Sequence, residues 1–329
     1  MFAAVPTGSP SARPEEPAVD SGSTVTRCYR HPAVECHVRC TGCARYICPD
    51  CERAAPVGRR CPECVREGAR PARRARTLGG GRIPTTPVVT YALFALTVLA
   101  YLAEVVRPGL VDRFALVGSR LVDPEGTRYV GDGLVLGSAP LRTEGVAGGE
   151  WERLLTSAFL HQSPFEGAFG ILHVTVNMVV LWQSGRVVEL MLGRVRFLAL
   201  YLLSALGGSV LELVLADPGH ASAGASGAVC GVGAASYVLH RRLGATAGRA
   251  DRLAAGLLLW LVVSAWFAPW QVPVGGLLAG GALALAFAYA PRDRRPVAVQ
   301  TGAAAALAVL LAVTAAWKVS ELTGGSIPL

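Results

Sequence analysis

Seven apolar runs, at about residues 88–106, 171–190, 197–216, 226–239, 253–268, 272–290 and 297–317, decide the solvent in which this chain folds. Several are near the twenty or so residues that cross bilayer hydrocarbon. Backbone at that depth must satisfy its own hydrogen bonds, and runs of this length do so as helices. Composition agrees: 52% hydrophobic residues, 16% charged residues and a mean hydropathy of +0.43 are too apolar for an ordinary soluble domain. The expected fold class is all-α and polytopic, embedded in a lipid bilayer. The fourth run is short, as for a helix that starts below the membrane surface at the bottom of a cavity. The fifth and sixth are separated only by the turn from Pro269 to Pro273.

The net charge of +8 is unevenly placed. Arg59, Arg60, Arg66, Arg70, Arg73, Arg74, Arg76 and Arg82 crowd the segment before the first run. Such a cluster sets topology and attracts anionic lipid, and no nucleic-acid partner is expected from it. Arg194 and Arg196 follow the second run, Arg241, Arg242, Arg249 and Arg252 the fourth, and Arg292, Arg294 and Arg295 the sixth. The loops after the third and fifth carry no Lys or Arg. This alternation predicts seven helices with the amino terminus in the cytoplasm. Residues 107–170 and the start of the fourth helix then lie on the opposite face. Residues 1–26, rich in Pro, Ser, Ala and Gly with no apolar signal-peptide core, are expected to be a disordered tail.

Eight of the nine cysteines fall between Cys28 and Cys64. Seven of them, with His31, form the pairs Cys28-x-x-His31, Cys40-x-x-Cys43, Cys48-x-x-Cys51 and Cys61-x-x-Cys64, which reads as metal ligation in a reducing compartment. Four pairs supply eight ligands, enough for two tetrahedral zinc ions. Interleaving assigns Cys28, His31, Cys48 and Cys51 to one ion and Cys40, Cys43, Cys61 and Cys64 to the other, stitching a segment too short to build its own core. Cys36 and His37 lie off the pattern and are alternative ligands. Residues 27–66 resemble B-box-type and related cross-brace zinc fingers. Closed sites make the zinc structural; whether the module docks a cytoplasmic protein partner or is a folded cap stays open. A basic Gly/Arg linker, 67–87, joins it to the membrane part at 88–317, and 318–329 is a carboxy-terminal tail.

The membrane part carries an ordered set of polar and small residues. Trp151 and Arg153 precede His161 in the long loop; His173 and Asn177 follow in the second helix, with Gly185 and Glu189 near its far end. Residues four apart share a helix face, so His173 and Asn177 can aim two donors at one point. Polar groups at membrane depth are costly unless they face a wet cavity or a partner. Next come Gly224, Ser226 and Gly227 at the mouth of the fourth helix, then Gly276-x-x-x-Gly280 in the sixth, a spacing that permits close helix packing.

In this order and topology, the set resembles the rhomboid family of intramembrane serine proteases, over about residues 88–317. The resemblance implies a helical bundle of six transmembrane helices plus one, here in a bacterial plasma membrane, that receives transmembrane client proteins. It implies Ser226 as nucleophile, and His173 and Asn177, with the Ser226 N–H, as stabilisers of the oxyanion. It gives Trp151 and Arg153 the shaping of the outer loop and His161 a structural role. No cofactor is implied for catalysis.

The chain departs from the family pattern where the general base belongs. The family places that histidine three residues before the first glycine of the sixth-helix pair; here the position holds Pro273, and no histidine follows His240. The residue four after Ser226, often an aromatic that stacks on the base, is Cys230. A serine hydroxyl is a weak nucleophile unless a neighbour takes its proton. Losing the histidine costs about 10⁶ in turnover in subtilisin. Recruiting His173 would remove it from the oxyanion site. The longer connection Gln162 to Leu172 and the 107–149 segment are expected to reshape substrate entry. Three functions follow: a catalytically impaired rhomboid homologue (a pseudoprotease) that binds transmembrane clients, an active endopeptidase with an unconventional base, or a zinc-module membrane scaffold. Retention of Ser226, His173 and Asn177 argues against the third.

Overall fold

The computed structural model describes residues 26–55, 58–69, 77, 84–129, 141–161, 168–244, 247–265, 269–291 and 296–324. Nearly all of the expected tail, most of the linker, residues 162–167 of the lengthened connection and the last five residues lie outside these. The chain forms two compact units, Met1–Arg74 and Ala75–Leu329.

In the first unit, β1 (Val38–Arg39) pairs antiparallel with β2 (Tyr46–Ile47), β3 (Arg53–Ala54) pairs with β4 (Arg59–Arg60), and α1 (Pro62–Ala69) follows. Its buried cluster is Ile47 with six cysteines, Cys28, Cys36, Cys40, Cys48, Cys51 and Cys61. One aliphatic side chain buries too little apolar surface to order a segment of this size.

The second unit is helical, and its long helices fall where the apolar runs predict them. They are α2 (Val88–Val106), then, beyond the outer segment, α5 (Ala168–Val180) running on through a π-helical turn, Leu181–Gly185, into α6 (Arg186–Leu192), followed by α7 (Arg194–Leu215), α8 (Ser226–Arg242), α9 (Ala247–Ala265), α10 (Gln271–Tyr289) and α11 (Pro296–Leu322). Among the described residues, five spans are long and apolar enough to cross a membrane: α2, Gly170–Leu192, α7, α10 and α11. The chain is a multi-pass membrane protein. Helix α8 has 17 residues, and the apolar part of α9 is Ala254–Val263, because α9 begins earlier than expected and takes in Arg249, Asp251 and Arg252. Helix α11 continues to Leu322, past the expected boundary at 317, with Lys318 and Glu321 paired across one turn at 3.0 Å.

Glycines set how closely α7, α8 and α10 approach. A Cβ on Gly276 would collide with the backbone of Gly227, and one on Gly280 with the backbone of Gly231. A Cβ on Gly208 would lie 2.7 Å from the Val272 carbonyl oxygen and 3.3 Å from Gly227 Cα. Backbone thus meets backbone across all three helices, the arrangement that holds helices together where no hydrophobic effect acts between them. Leu200, Tyr201, Val229, Val232, Leu283 and Phe287 fill the space around this seam. Polar clasps attach the remaining helices. Glu189, wholly buried on α6, accepts the backbone N–H groups of Val89 and Thr90 at 3.0 and 2.8 Å and the Thr90 hydroxyl at 2.8 Å. Its charge meets the positive end of α2, whose own N-cap residue, Pro87, offers no side-chain acceptor. Gln300 on α11 accepts from Arg196 Nε at 2.7 Å and donates to the Phe287 carbonyl at 3.1 Å.

The outer segment holds strands that the sequence reading did not anticipate. After α3 (Gly109–Phe114) come β5 (Arg120–Val122), β6 (Arg128–Tyr129) and β7 (Arg142–Glu144), an antiparallel sheet in the order β6-β5-β7, and then the short α4 (Arg153–Thr156). Arg153 is 1% exposed; its guanidinium bridges Glu144 at 3.0 Å and Glu150 at 2.8 Å and donates to the carbonyls of Asp112 and Ala115. Glu144 also binds Arg120 at 2.9 Å. Burial pushes the Glu144 carboxyl up, but the hydrogen bond and charge of Arg120, with Arg153 and Arg128, outweigh it and hold the group below its ordinary value. Trp151 packs against a buried cluster that includes Leu116, Val146, Leu154 and Val210.

Two outcomes follow. Gly276→Leu must separate two backbones, so it is expected to destabilise by at least the upper end of the about 1–3 kcal/mol typical of overpacking; an unchanged Tm in detergent would contradict the contact. Glu144→Ala strands two buried guanidinium groups at a cost of about 3–5 kcal/mol, read as new limited-proteolysis cuts in the outer segment. The folded-state value of Glu144 is depressed, so its contribution is complete above about 4.5 and is lost as pH falls through the lower folded value. Wild type therefore becomes protease-sensitive in that acidic window.

Candidate functional site

Ser226 is the first residue of α8 and is 3% exposed. The N-cap residue, Ala225, gives no side-chain cap, so the orphan N–H groups of the first turn and the positive helix end point into the space before the serine. That space is a cavity of about 20 Å³. It is lined by Ser157, His173, Ser209, Glu212, Ser222, Gly224, Ser226, Pro269 and Val272, among others. It admits a water-sized group and little more.

His173 and Ser226 therefore meet at one cavity, reached from α5 and α8. The His173 ring is stacked on Trp260 of α9, with centroids 6.0 Å apart and planes inclined by 21°. On another side it meets Gly224, where a Cβ would lie 2.8 Å from ring atom Cε1. That contact explains why the turn before Ser226 needs glycine. Gly224 is tied down by its N–H to the Ser157 carbonyl at 3.0 Å. Asn177, one turn below His173, is wholly buried, and neither polar atom of its amide has a partner among the described residues. It does not line the cavity.

His161 is also wholly buried, 5.5 Å from the His173 ring and edge-on to Tyr101 at 6.2 Å. Its backbone N–H donates to Glu104 of α2 at 3.0 Å. On α10, Gly276 and Gly280 turn toward Gly227 and Gly231, so Pro273, one turn before Gly276, sits on the side facing α8 and is buried. The α10 end of the cavity is walled by Pro269 and Val272. None of these three residues takes up a proton. Cys230, on α8, is buried.

Sequence reasoning passed over Trp260, Ser209, Ser222 and Glu212. A lone carboxylate in an apolar span was signal enough for Glu212, since such groups are costly and face a cavity or partner. Trp260 had no signal, because an aromatic in a membrane helix is unremarkable until its neighbour is known.

In the amino-terminal unit, Cys28, His31, Cys48 and Cys51 converge, as do Cys40, Cys43, Cys61 and Cys64, with the four ligand atoms of each group within 4.8 Å of one another. His31 Nδ1 lies 3.2, 3.4 and 3.9 Å from the sulfurs of Cys48, Cys51 and Cys28. Tetrahedral bonds of ordinary zinc length need edges of roughly 3.5–3.8 Å, so the donors fit with shifts of a few tenths of an ångström. Burial pushes the Cys28 and Cys40 thiols up, but backbone amides aimed at each sulfur outweigh it and hold both at about 6. Each group thus presents a ready thiolate and could hold a metal ion. Cys36 is buried outside both groups, where burial pushes its thiol up, and His37 is exposed.

Residues 148–292 match the family described as Rhomboid domain. "Rhomboid protease GluP" of Bacillus subtilis (strain 168) is 44% identical over 94 residues, 28% of this chain and 17% of that protein. "Putative rhomboid protease YdcA" of the same organism is 35% identical over 88 residues, 27% of this chain and 41% of that protein. The chain spans less than half the length of either relative. The matched segment runs from the outer loop through α10 and contains the Ser226 cavity. Residues 148–292 of this membrane part thus carry the match to the Rhomboid domain, and the glycine seam and the Ser226 cavity lie within them.

Proposed function

We propose that the protein receives transmembrane client proteins at the Ser226 cavity and that its peptide-bond chemistry is impaired. In this reading Ser226 is the nucleophile of a serine-endopeptidase site and His173 with the Ser226 N–H stabilises the oxyanion; Asn177, buried one turn below His173, would have to reach the cavity to join them. The impairment is the loss of the histidine base at Pro273. The observation that carries it is the cavity itself: Ser226 and His173 line it together, while Val272 of α10 and Pro269 just before that helix wall the other end, and neither can hold a proton. A second reading, slow endopeptidase turnover with an unconventional base, is favoured by one further observation. Glu212 lines the same cavity.

The same proposal divides the chain into a zinc module at 27–66, a linker at 67–87 and a membrane domain from residue 88. It puts two structural zinc ions in the module and the module in the cytoplasm of a bacterium, available to a protein partner. The convergence of each ligand group supports the zinc assignment, and the loop cations support the orientation.

A fluorophosphonate probe tests the site on wild type, Ser226→Ala and Pro273→His. Wild type is expected to label slowly or not at all and Pro273→His at least about a hundredfold faster, the lower end of what general-base catalysis supplies. Rapid wild-type labelling that vanishes in Ser226→Ala would refute the impairment. For the module, metal analysis of purified protein is expected to give two zinc equivalents per chain, falling to one in Cys61→Ser. A count near zero rejects the assignment.

A further inference from the structure

Among the described residues lining the Ser226 cavity, only the side chains of His173 and Glu212 are bases able to accept a proton. His173 is held by the Trp260 stack and the Gly224 contact in the place where an oxyanion donor belongs. Glu212 has no such duty. It is 4% exposed on α7, and among the described residues its side chain binds the Ser222 hydroxyl at 2.5 Å and pairs with no Lys or Arg. A carboxylate buried without a cation is expensive, and helix α7 gains nothing from it that a Gln would not supply.

Its height in the membrane domain is set by the glycine seam. Gly208, one turn earlier on the same face of α7, lies against Gly227, so Glu212 stands about 6 Å above the level of Gly227 and, α8 running antiparallel, about 4.5 Å above that of Ser226. The hydrogen bond to Ser222 turns the carboxylate toward the loop that delivers the serine. One water spans that rise, and the cavity of about 20 Å³ between them has room for one. A general base is competent at hydrogen-bond distance or through a single water.

We propose that Glu212 replaces the missing histidine as the proton acceptor for Ser226, working through one water; this rests on the reading of Ser226 as nucleophile. As Oγ bonds to the client's carbonyl carbon, the hydroxyl proton passes to the water and the water's proton to the Glu212 carboxylate. The carbonyl π pair moves to oxygen, which is held by the Ser226 N–H and His173. The C–N bond breaks as the pair re-forms the carbonyl, and the Glu212 proton returns through the same water to the departing amine. A water then adds to the acyl carbon, giving one proton to Glu212. When the C–Oγ bond breaks, that proton goes to Oγ, releasing the client's new carboxyl end and restoring Ser226. A carboxylate is ordinarily a weaker base than an imidazole, which fits slow turnover.

The test measures fluorophosphonate labelling rates on the full chain in detergent for wild type, Ser226→Ala, Glu212→Gln, Pro273→His and the Pro273→His/Glu212→Gln double variant. Expected are slow wild-type labelling, none in Ser226→Ala, and at least a tenfold loss in Glu212→Gln. In the Pro273→His background, where a histidine takes the proton, the loss on Glu212→Gln shrinks below threefold. That contraction separates proton transfer from a structural role, which would cost the same in both backgrounds, and labelling of the double variant reports that it is folded. Glu212→Gln labelling within threefold of wild type overturns the proposal. So does an equal loss in both backgrounds. Labelling of Pro273→His but not of wild type also overturns it, while leaving the impaired-site reading in place. Wild-type labelling that persists in Ser226→Ala overturns both.

Discussion

The backbone contact between Gly276 of α10 and Gly227 of α8 is the constraint on which the rest of the membrane part depends. Lipid tails are as apolar as leucine side chains, so the helices gain nothing by merely hiding from them. They gain from close dispersion contact, which glycine allows by removing the side chain from the interface. Gly207 and Gly208 on α7 and Gly275 on α10 extend the contact to a third helix. Because Gly227 follows Ser226 directly, the helix-packing contact and the position of the serine are one geometric fact. A shift of α10 would move the floor under Ser226.

Around that seam, buried charges are used as clasps. Each is answered by several partners, as a desolvated charge requires. Glu189 meets three donors at the start of α2, and Arg153 meets two carboxylates and two carbonyls in the outer segment. Two buried carboxylates stand apart, each with a single hydrogen-bond partner among the described residues: Glu104 accepts the His161 backbone N–H, and Glu212, bound by the Ser222 hydroxyl, opens on a cavity. A fully partnered charge is a structural part, and an under-partnered one at a cavity is a candidate for chemistry. The amino-terminal unit solves a different problem. Its buried cluster is almost all cysteine, in two groups that could hold metal ions, and apolar burial alone contributes little to its order.

Pattern in the sequence carried the helices, because 3.6-residue geometry and bilayer thickness convert an apolar run directly into a span. It served less well where polar residues begin a helix or extend one. Helix α9 takes in Arg249, Asp251 and Arg252, and α11 runs on to Leu322, because a helix goes on past the hydrocarbon while its backbone bonds can still be made. The β5–β7 sheet was illegible for a simple reason. Its strands are two or three residues long, too short for alternation to register, and they are held by the Glu144 charge network.

By itself the sequence determined that the chain is a multi-pass helical membrane protein with an amino-terminal block of paired cysteines and a histidine at metal-ligand spacing. It also determined that Ser226, His173 and Asn177 occur in rhomboid order with proline where a histidine is expected. Spacing and hydropathy are local properties, and those conclusions need nothing else. Only the tertiary structure decided which side chains share the space before Ser226. Glu212 and Trp260 lie 14 residues before and 34 after that serine, and nothing local links them to it. They arrive because glycine lets α7 and α8 close to backbone contact and because α9 lays an indole on the His173 ring.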